Sequence, residues 1–503
     1  MEPIVVVQNR KTSKAVHQSR ARRLAFGLRT LGIKPGDTFA IMLRNSEAFL
    51  EAIDASRQVG TTYCPINWHF TAAEVDFLLN DSGARLLIVH ADFWDRIQAV
   101  VPPSMPVLIV DEHPACNGQA NAPLSYASWR DAFPESGEYA DAPRGHMAYT
   151  SGTTGKPKGV VRHMFPPEIA ADRKVAAQKL LRQTLGLVPG CRALLPAPIY
   201  HSAPSLFAQN ALQMCEVFVL TDRFDPLEVL QLVQTYRIEV LYLVPIMYVR
   251  MLKLDPQSRQ RYDLGSLRFV ASTGAPCAPE IKRAMIDWLG PIVYETYASS
   301  EAGLITLLDS HQALAKPGSA GKPAGEAVIR IYDEEGARCG PGVAGYIYVR
   351  QPAYADFHYR NNPQARNDID KEGLISLGDI GYLDKDGFLF VCDRKSDMVI
   401  SGGVNIYPAE VEHQLLQYDG IADCAVIGVP DAEFGESLLA FVQPQAGQTL
   451  DTEAIGRWLQ ARMAKFKVPR QFIIDSALPR DDSGKIYKRL LRDKYWAGHS
   501  RKV

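Results

Sequence analysis

No run of eighteen apolar residues occurs in this 503-residue sequence, so a membrane-spanning helix is not expected. Neither sign of charge prevails: 55 Lys and Arg offset 56 Asp and Glu, leaving a formal net charge of −1. That balance draws the chain as a whole to neither nucleic acid nor an anionic lipid surface. Cysteine is scarce. The eight residues Cys64, Cys116, Cys191, Cys215, Cys277, Cys339, Cys392 and Cys424 stand singly, without zinc-type or redox-motif spacing, and are expected as buried reduced thiols. The opening MEPIVVVQNRKTSK holds too short an apolar run for a secretory signal, and the closing HSRKV carries no peroxisomal or lipidation address. No internal repeat and no long low-complexity segment breaks the chain. A soluble, cytoplasmic protein without nucleic-acid or membrane partners is the expectation.

What the sequence does contain is core-forming material. Apolar residues make up 47% of a chain too long for one core. Strand-length runs such as TFAIML, RLLIVH and VLIVDE alternate with segments of helical period such as ARRLAFGLRTLG, and EVFVL, EVLYLV, LRFVAST and IVYETYA extend the pattern. Such alternation predicts βα units and largely parallel sheets, an α/β fold. Between Glu112 and His146 the composition turns polar, predicting a loop or hairpin. After about Ala320, AVIRIYDEEG, AGYIYVRQ and GYLDKDGFLFVCDR predict an antiparallel subdomain. The last hundred residues mix helix and strand, which places a boundary near Arg394: residues 1–393 form a large N-terminal domain and residues 394–503 a small α+β domain.

One stretch suits neither helix nor strand: YTSGTTGKPKGVVRH, Tyr149 to His163. Glycines let a backbone wrap an anion closely, and hydroxyls add uncharged donors. Ser151, Thr153 and Thr154 supply hydroxyls, Gly152 and Gly155 supply room, and Lys156 and Lys158 supply charge. The Walker phosphate loop is excluded, because Pro157 stands five residues after Gly152 and no Gly-Lys-Ser/Thr occurs anywhere. The ordered string instead resembles the signature phosphate loop of the adenylate-forming superfamily, which comprises acyl- and aryl-CoA synthetases, peptide-synthetase adenylation domains and beetle luciferases.

Further motifs follow in the family's order. STGAPC resembles the adenine-lining segment, which implies roles for Gly274, Ala275 and Pro276. YETYASSEAG resembles the core motif, implying that Tyr297 stacks on adenine, that Ser300 lies at the nucleotide and that Glu301 binds Mg²⁺. SLGDIGYLDKDG resembles the ribose motif, with Asp379 on the two ribose hydroxyls; Asp384 and Asp386 are expected in a hairpin turn. DRKSDMVISGGVNIYP resembles the hinge and the loop after it. Arg394 is then a ribose or phosphate contact, Ser396 the hinge, and Ser401, Gly402 and Gly403 a tunnel for a pantetheine arm. LPRDDSGKIYKRLL resembles the C-terminal motif that presents the catalytic lysine, here Lys485.

The resemblance covers essentially the whole chain and implies an acid–thiol ligase. ATP and a carboxylate would form an acyl-adenylate with release of pyrophosphate. The mobile C-terminal domain would then rotate, and coenzyme A would take the acyl group with release of AMP. Thr150 and the 151–158 loop would hold phosphates while Lys485 bridges the acyl carboxylate and the α-phosphate. Four positions depart from the family pattern: Leu377 for Thr, Tyr346 for Glu, Ser396 for Asp or Lys, and Ala298 for Gly. PAPIYHSAPSLF resembles the segment that opens the acyl pocket, so Tyr200, His201, Ser202, Ala203, Tyr248 and Ala298 are expected wall residues. Mostly apolar, they suit a fatty, aromatic or alicyclic acid. No carboxylate stands there to hold an amino acid's ammonium group, and a homodimer is compatible with all of this. Two other classes share the motifs. A luciferase-like oxidase would consume oxygen in place of CoA, and a non-catalytic ATP-binding relative would release no pyrophosphate.

Overall fold

A computed structural model describes residues 3–114, 116, 122–135, 144–150, 157–402, 404–480 and 486–497. Two sheets of mostly parallel strands form the first half. The larger runs in the order Val293–Glu295, Phe269–Ser272, Val240–Leu243, Arg192–Leu195, Val217–Leu220, Ile4–Val7, Arg10–Ser13, all neighbours parallel except the last pair. The second is parallel throughout: Thr62–Pro65, Thr38–Met42, Ala84–His90, Val107–Val110, Leu124–Ser125. Their strands are apolar on both faces because helices cover both sides; Thr38–Met42 is buried at every position.

Local chemistry starts and stops these helices. Ser46 accepts from Phe49 N at the head of Glu47–Val59, and Gly60 ends that helix at φ 76°. Thr71 and Glu74 form a reciprocal capping box on Ala72–Ser82. The segment expected as loop or hairpin contains more structure than that: the edge strand Leu124–Ser125 and the short helix Tyr126–Asp131. Tertiary packing explains the helix. Arg130 and Tyr126 both donate to Glu51 Oε2, at 2.7 and 2.8 Å, in a nearly water-free setting.

The expected antiparallel region is present. Val328–Tyr332, Gly345–Arg350, Leu374–Leu383 and Asp370–Lys371 pair in that order, and Leu389–Arg394 joins the long strand Leu374–Leu383. Asp384 turns the chain between them, accepting at Oδ1 from Asp386 N and Phe388 N, while Lys316 Nζ sits 2.7 Å from Oδ2. A further five-stranded sheet begins at Val399–Ser401. It contains the long antiparallel pair Ile421–Asp431 and Gly435–Pro444, and encloses its own core around Val399, Val426, Ala440 and Ile455. Among the described residues no helix is long and apolar enough to cross a membrane.

The cysteines divide. Cys64, Cys191, Cys215, Cys277 and Cys424 are buried and free, but Cys116, Cys339 and Cys392 keep partial exposure, a correction to the expectation of burial for all eight.

Removing Glu51 would leave Arg130 paired only with the exposed Asp131 carboxylate, at 2.8 and 2.9 Å, and take the acceptor from the buried Tyr126 hydroxyl. Glu51→Ala is expected to cost about 1–3 kcal/mol. Urea unfolding followed by tryptophan fluorescence checks this, the midpoint moving to lower denaturant.

Candidate active site

The site lies where parallel strands end. Beyond Phe269–Ser272 the chain turns through Gly274 at φ 98°, a left-handed conformation that side-chain-bearing residues rarely adopt; Ala275 is half-buried and Pro276 exposed. Beyond Val293–Glu295 come Thr296 and Tyr297, whose backbone N donates to Thr306 Oγ1 at 3.0 Å. Ligands of open parallel sheets bind at these carboxyl-terminal edges.

The antiparallel pair Ala148–Thr150 and Lys158–Arg162 sets Thr150 opposite Lys158. The loop residues between, including Ser151, Gly152, Thr153, Thr154 and Gly155, lie outside the described residues, as do Gly403 and Lys485. Thr150 Oγ1 donates to Glu301 Oε1 at 3.1 Å, and the Tyr359 hydroxyl donates to the same oxygen at 3.2 Å. Lys158 Nζ lies 5.2 Å from the Tyr359 ring centre. Arg162 braces the core motif from behind, its Nη2 donating to the carbonyls of Ser300 and Glu301 at 2.7 and 3.0 Å. Burial holds the Arg162 pKa below its ordinary value, opposed by Tyr354 and Glu301.

A second convergence surrounds Asp379, a carboxylate only 6% exposed. The Tyr297 hydroxyl donates to its Oδ2, and Arg394 Nε lies 3.3 Å from its Oδ1. Asp379 and Arg394 are cross-strand partners, so sheet register makes this pair. Burial, then the Asp379 charge, pushes the Tyr297 phenol well above its ordinary pKa and keeps it a donor.

Just past Arg394 the chain passes between sheets. Arg492 Nη1 donates to the Ser396 carbonyl at 2.8 Å and lies 3.2 Å from Asp397 Oδ1. Asp393 accepts from Arg394 N at 2.8 Å and from Ala409 N at 2.9 Å. Its pKa is raised to about 6, chiefly by burial, with Glu412 adding to the shift while Lys488 and the Ala409 N–H oppose it. Burial disfavours the Lys488 charge, but Glu412, 2.8 Å away, and Asp393 outweigh it and raise that pKa. Ser401 pairs with Val404 and Gly435, and Gly402, at φ 56°, donates from its backbone N to Phe434 O at 2.9 Å.

The expected acyl-wall residues fall in three places. Tyr200, His201, Ser202 and Ala203 cluster at the amino end of the helix Ser202–Met214, with the Tyr200 and His201 ring centres 4.4 Å apart. Ala298 is half-buried and pairs with Leu304. Tyr248 has no exposed surface and packs beside Cys277, Ser272 and Glu295. Motif reading missed Arg162, Tyr359, Lys488 and Arg492. The nearest signal was Arg162, a lone arginine on the apolar strand that leaves the glycine-rich loop.

Site and fold together define a nucleotide-dependent enzyme built at sheet ends, and comparison makes its family explicit. The AMP-binding enzyme family model matches residues 2–357, and the AMP-binding enzyme C-terminal domain model matches residues 410–485. A feruloyl-CoA synthase from Amycolatopsis is 32% identical over 95% of this chain and 92% of its own length. The crystal structure of ATP-bound MatB from Rhodopseudomonas palustris superposes with a TM-score of 0.84 at 27% identity, covering 99% of this chain and 97% of that one. The o-succinylbenzoate-CoA synthetase of Bacillus subtilis, in complex with its acyl-adenylate, gives 0.80 at 27% identity over 98% and 96%. The chain belongs to the AMP-binding enzyme family. It is an adenylate-forming ligase of the acyl-CoA synthetase kind.

Because the folded pKa of Asp393 exceeds the ordinary carboxyl value, the folded chain holds that proton more tightly than the unfolded one. The stability this adds is complete below about pH 4 and is lost as pH rises through about 6. Asp393→Asn should therefore gain on the wild type between pH 5 and 8; melting temperatures at both pH values test it, and a constant difference would contradict it.

Proposed function

We propose that this enzyme joins a fatty, aromatic or alicyclic carboxylic acid to coenzyme A through an acyl-adenylate. The observation that carries the reading is the meeting of Thr150 and Tyr359 on one oxygen of Glu301. It sets the end of the phosphate-loop strand against a carboxylate 151 residues away. Glu301 Oε2 accepts no hydrogen bond among the described residues, leaving a hard oxygen donor available. That suits Mg²⁺, which takes one or two carboxylates together with phosphate and water oxygens. No cluster of three His, Cys, Asp or Glu side chains occurs among the described residues, as such a mode requires none. When bound, the ion would supply charge compensation to the nucleotide phosphates.

In the first half-reaction a carboxylate oxygen attacks the α-phosphorus of ATP, the bond to the β-phosphate oxygen breaks, and pyrophosphate departs. The carboxylate is ionised near pH 7, so no general base is needed. The task is to align two anions. Lys158, Thr150 and the 151–155 loop serve the departing phosphates, and Lys485 spans carboxylate and α-phosphate. Asp379 exchanges its Tyr297 and Arg394 partners for the ribose diol, since a carboxylate can accept two hydroxyls. Tyr297, Gly274, Ala275, Pro276 and Ser300 hold the base.

In the second half-reaction a thiolate attacks the acyl carbonyl and AMP leaves with the bonding electrons. Residues 394–503 rotate about Ser396 between the two steps, withdrawing Lys485 and offering Ser401, Gly402 and Gly403 to the pantetheine arm. The Arg492 bond to the Ser396 carbonyl would be remade in that rotation. The enzyme acts in the cytoplasm.

Pyrophosphate release across a panel of carboxylic acids, with and without CoA, tests the reading. Lys485→Ala should lower adenylate formation by about 10²–10³-fold, the scale for losing one positioned electrostatic group. Thioester formation from supplied acyl-adenylate should stay near wild type; equal loss of both half-reactions would sink the assignment of Lys485.

A further inference from the structure

His146 belongs to none of the motifs above, yet both its ring nitrogens are engaged. Nδ1 lies 3.1 Å from Gln209 Nε2, and Nε2 lies 2.9 Å from Ser202 Oγ. An amide nitrogen offers only protons, so Nδ1 is the acceptor of that bond. Burial, with Arg162 next, brings the His146 pKa down to about 4, so the ring is neutral at physiological pH. Its single proton therefore sits on Nε2 and is donated to Ser202 Oγ.

A serine oxygen that accepts still has its own proton to place. Ser202 is the first residue of the helix Ser202–Met214, where the backbone presents N–H groups that have no intrahelical partner. No described residue accepts from Ser202, and its side chain is only half-buried. The hydroxyl proton is thus left for a ligand beside Tyr200, His201 and Ala203, at the carboxyl-terminal edge of the large sheet.

We propose that Ser202, held as a hydrogen-bond donor by His146 and Gln209, recognises an oxygen acceptor on the acid. The enzyme then selects acids bearing a methoxy, keto or ether oxygen over isosteric hydrocarbons. The proposal rests on the acid-activating reading above and narrows its substrate class. His146 and Gln209 are positioning residues that act through Ser202. Sites built to bond a substrate polar group discriminate strongly, because the analogue leaves their own group unpaired.

Matched pairs test it by pyrophosphate release: 4-methoxycinnamic against 4-ethylcinnamic acid, 4-methoxybenzoic against 4-ethylbenzoic acid, and 7-oxooctanoic against 7-methyloctanoic acid. The wild type should favour the oxygen-bearing member of an accepted pair by about 10-fold or more in kcat/KM, chiefly through KM. Ser202→Ala and His146→Phe should each bring that ratio toward one, and the double variant should lose nothing further. Ser202→Thr, which keeps the hydroxyl, should retain it. Preference for the hydrocarbon in every accepted pair, or variant losses that fall equally on both members, would overturn the proposal. If His146→Phe does not fold, Ser202→Ala and Ser202→Thr decide the matter. A wild type that releases no pyrophosphate with any acid overturns the acid-activating reading itself, and this one with it.

Discussion

The Asp379 carboxylate is the point on which the arrangement turns. Its two oxygens are held by Tyr297, from the segment after the large parallel sheet, and by Arg394, the last residue of the antiparallel sheet. One buried anion thereby ties the segment after the large parallel sheet to the passage between sheets. A carboxylate so placed needs partners, because desolvating an unpaired charge is costly. In the proposed reaction the ribose hydroxyls would take the place of these donors, so the carboxylate would not stand bare.

The same economy of charge governs the rest of the site. Adenylation brings a carboxylate to a polyphosphate, two groups that repel. The chain answers with cations and hydroxyls placed before the reaction, which need no reorganisation during it. Glu301 is the exception, an acid among anions, and its position is explained by the hydroxyls of Thr150 and Tyr359 on one oxygen and by the suitability of the other for a hard cation. Arg162 fixes the backbone that carries Glu301, so the carboxylate is aimed by an arginine bonded to the carbonyls of Ser300 and Glu301.

On the proposed acyl side a similar division would separate residues that touch the acid from residues that aim them. Tyr200, His201, Ser202 and Ala203 share one helix end, but the direction of the Ser202 proton is set by His146, 56 residues earlier in the chain. Tyr248, also expected on the wall, is fully buried, with Ser272, Cys277 and Glu295 near it.

Much of the fold was legible because local periodicity is written in adjacent residues. TFAIML, RLLIVH, EVFVL and LRFVAST form parallel strands as their continuous apolar runs require, and the alternating segments after Ala320 form the antiparallel sheet. The helix Tyr126–Asp131 was not legible. Polar residues around it hid a segment held by Glu51, some 75 residues distant. The motifs were legible too, since the order Ser-Gly-Thr-Thr-Gly-Lys-Pro-Lys-Gly is a property of the chain alone. The sequence by itself therefore determined the family and the reaction class. Only the tertiary structure decided which groups stand together: Tyr359 on Glu301, Arg394 on Asp379, Arg492 on Ser396, His146 on Ser202. Each of these contacts depends on sheet register and helix packing between segments far apart in the chain, and a window of neighbouring residues carries no record of such distances.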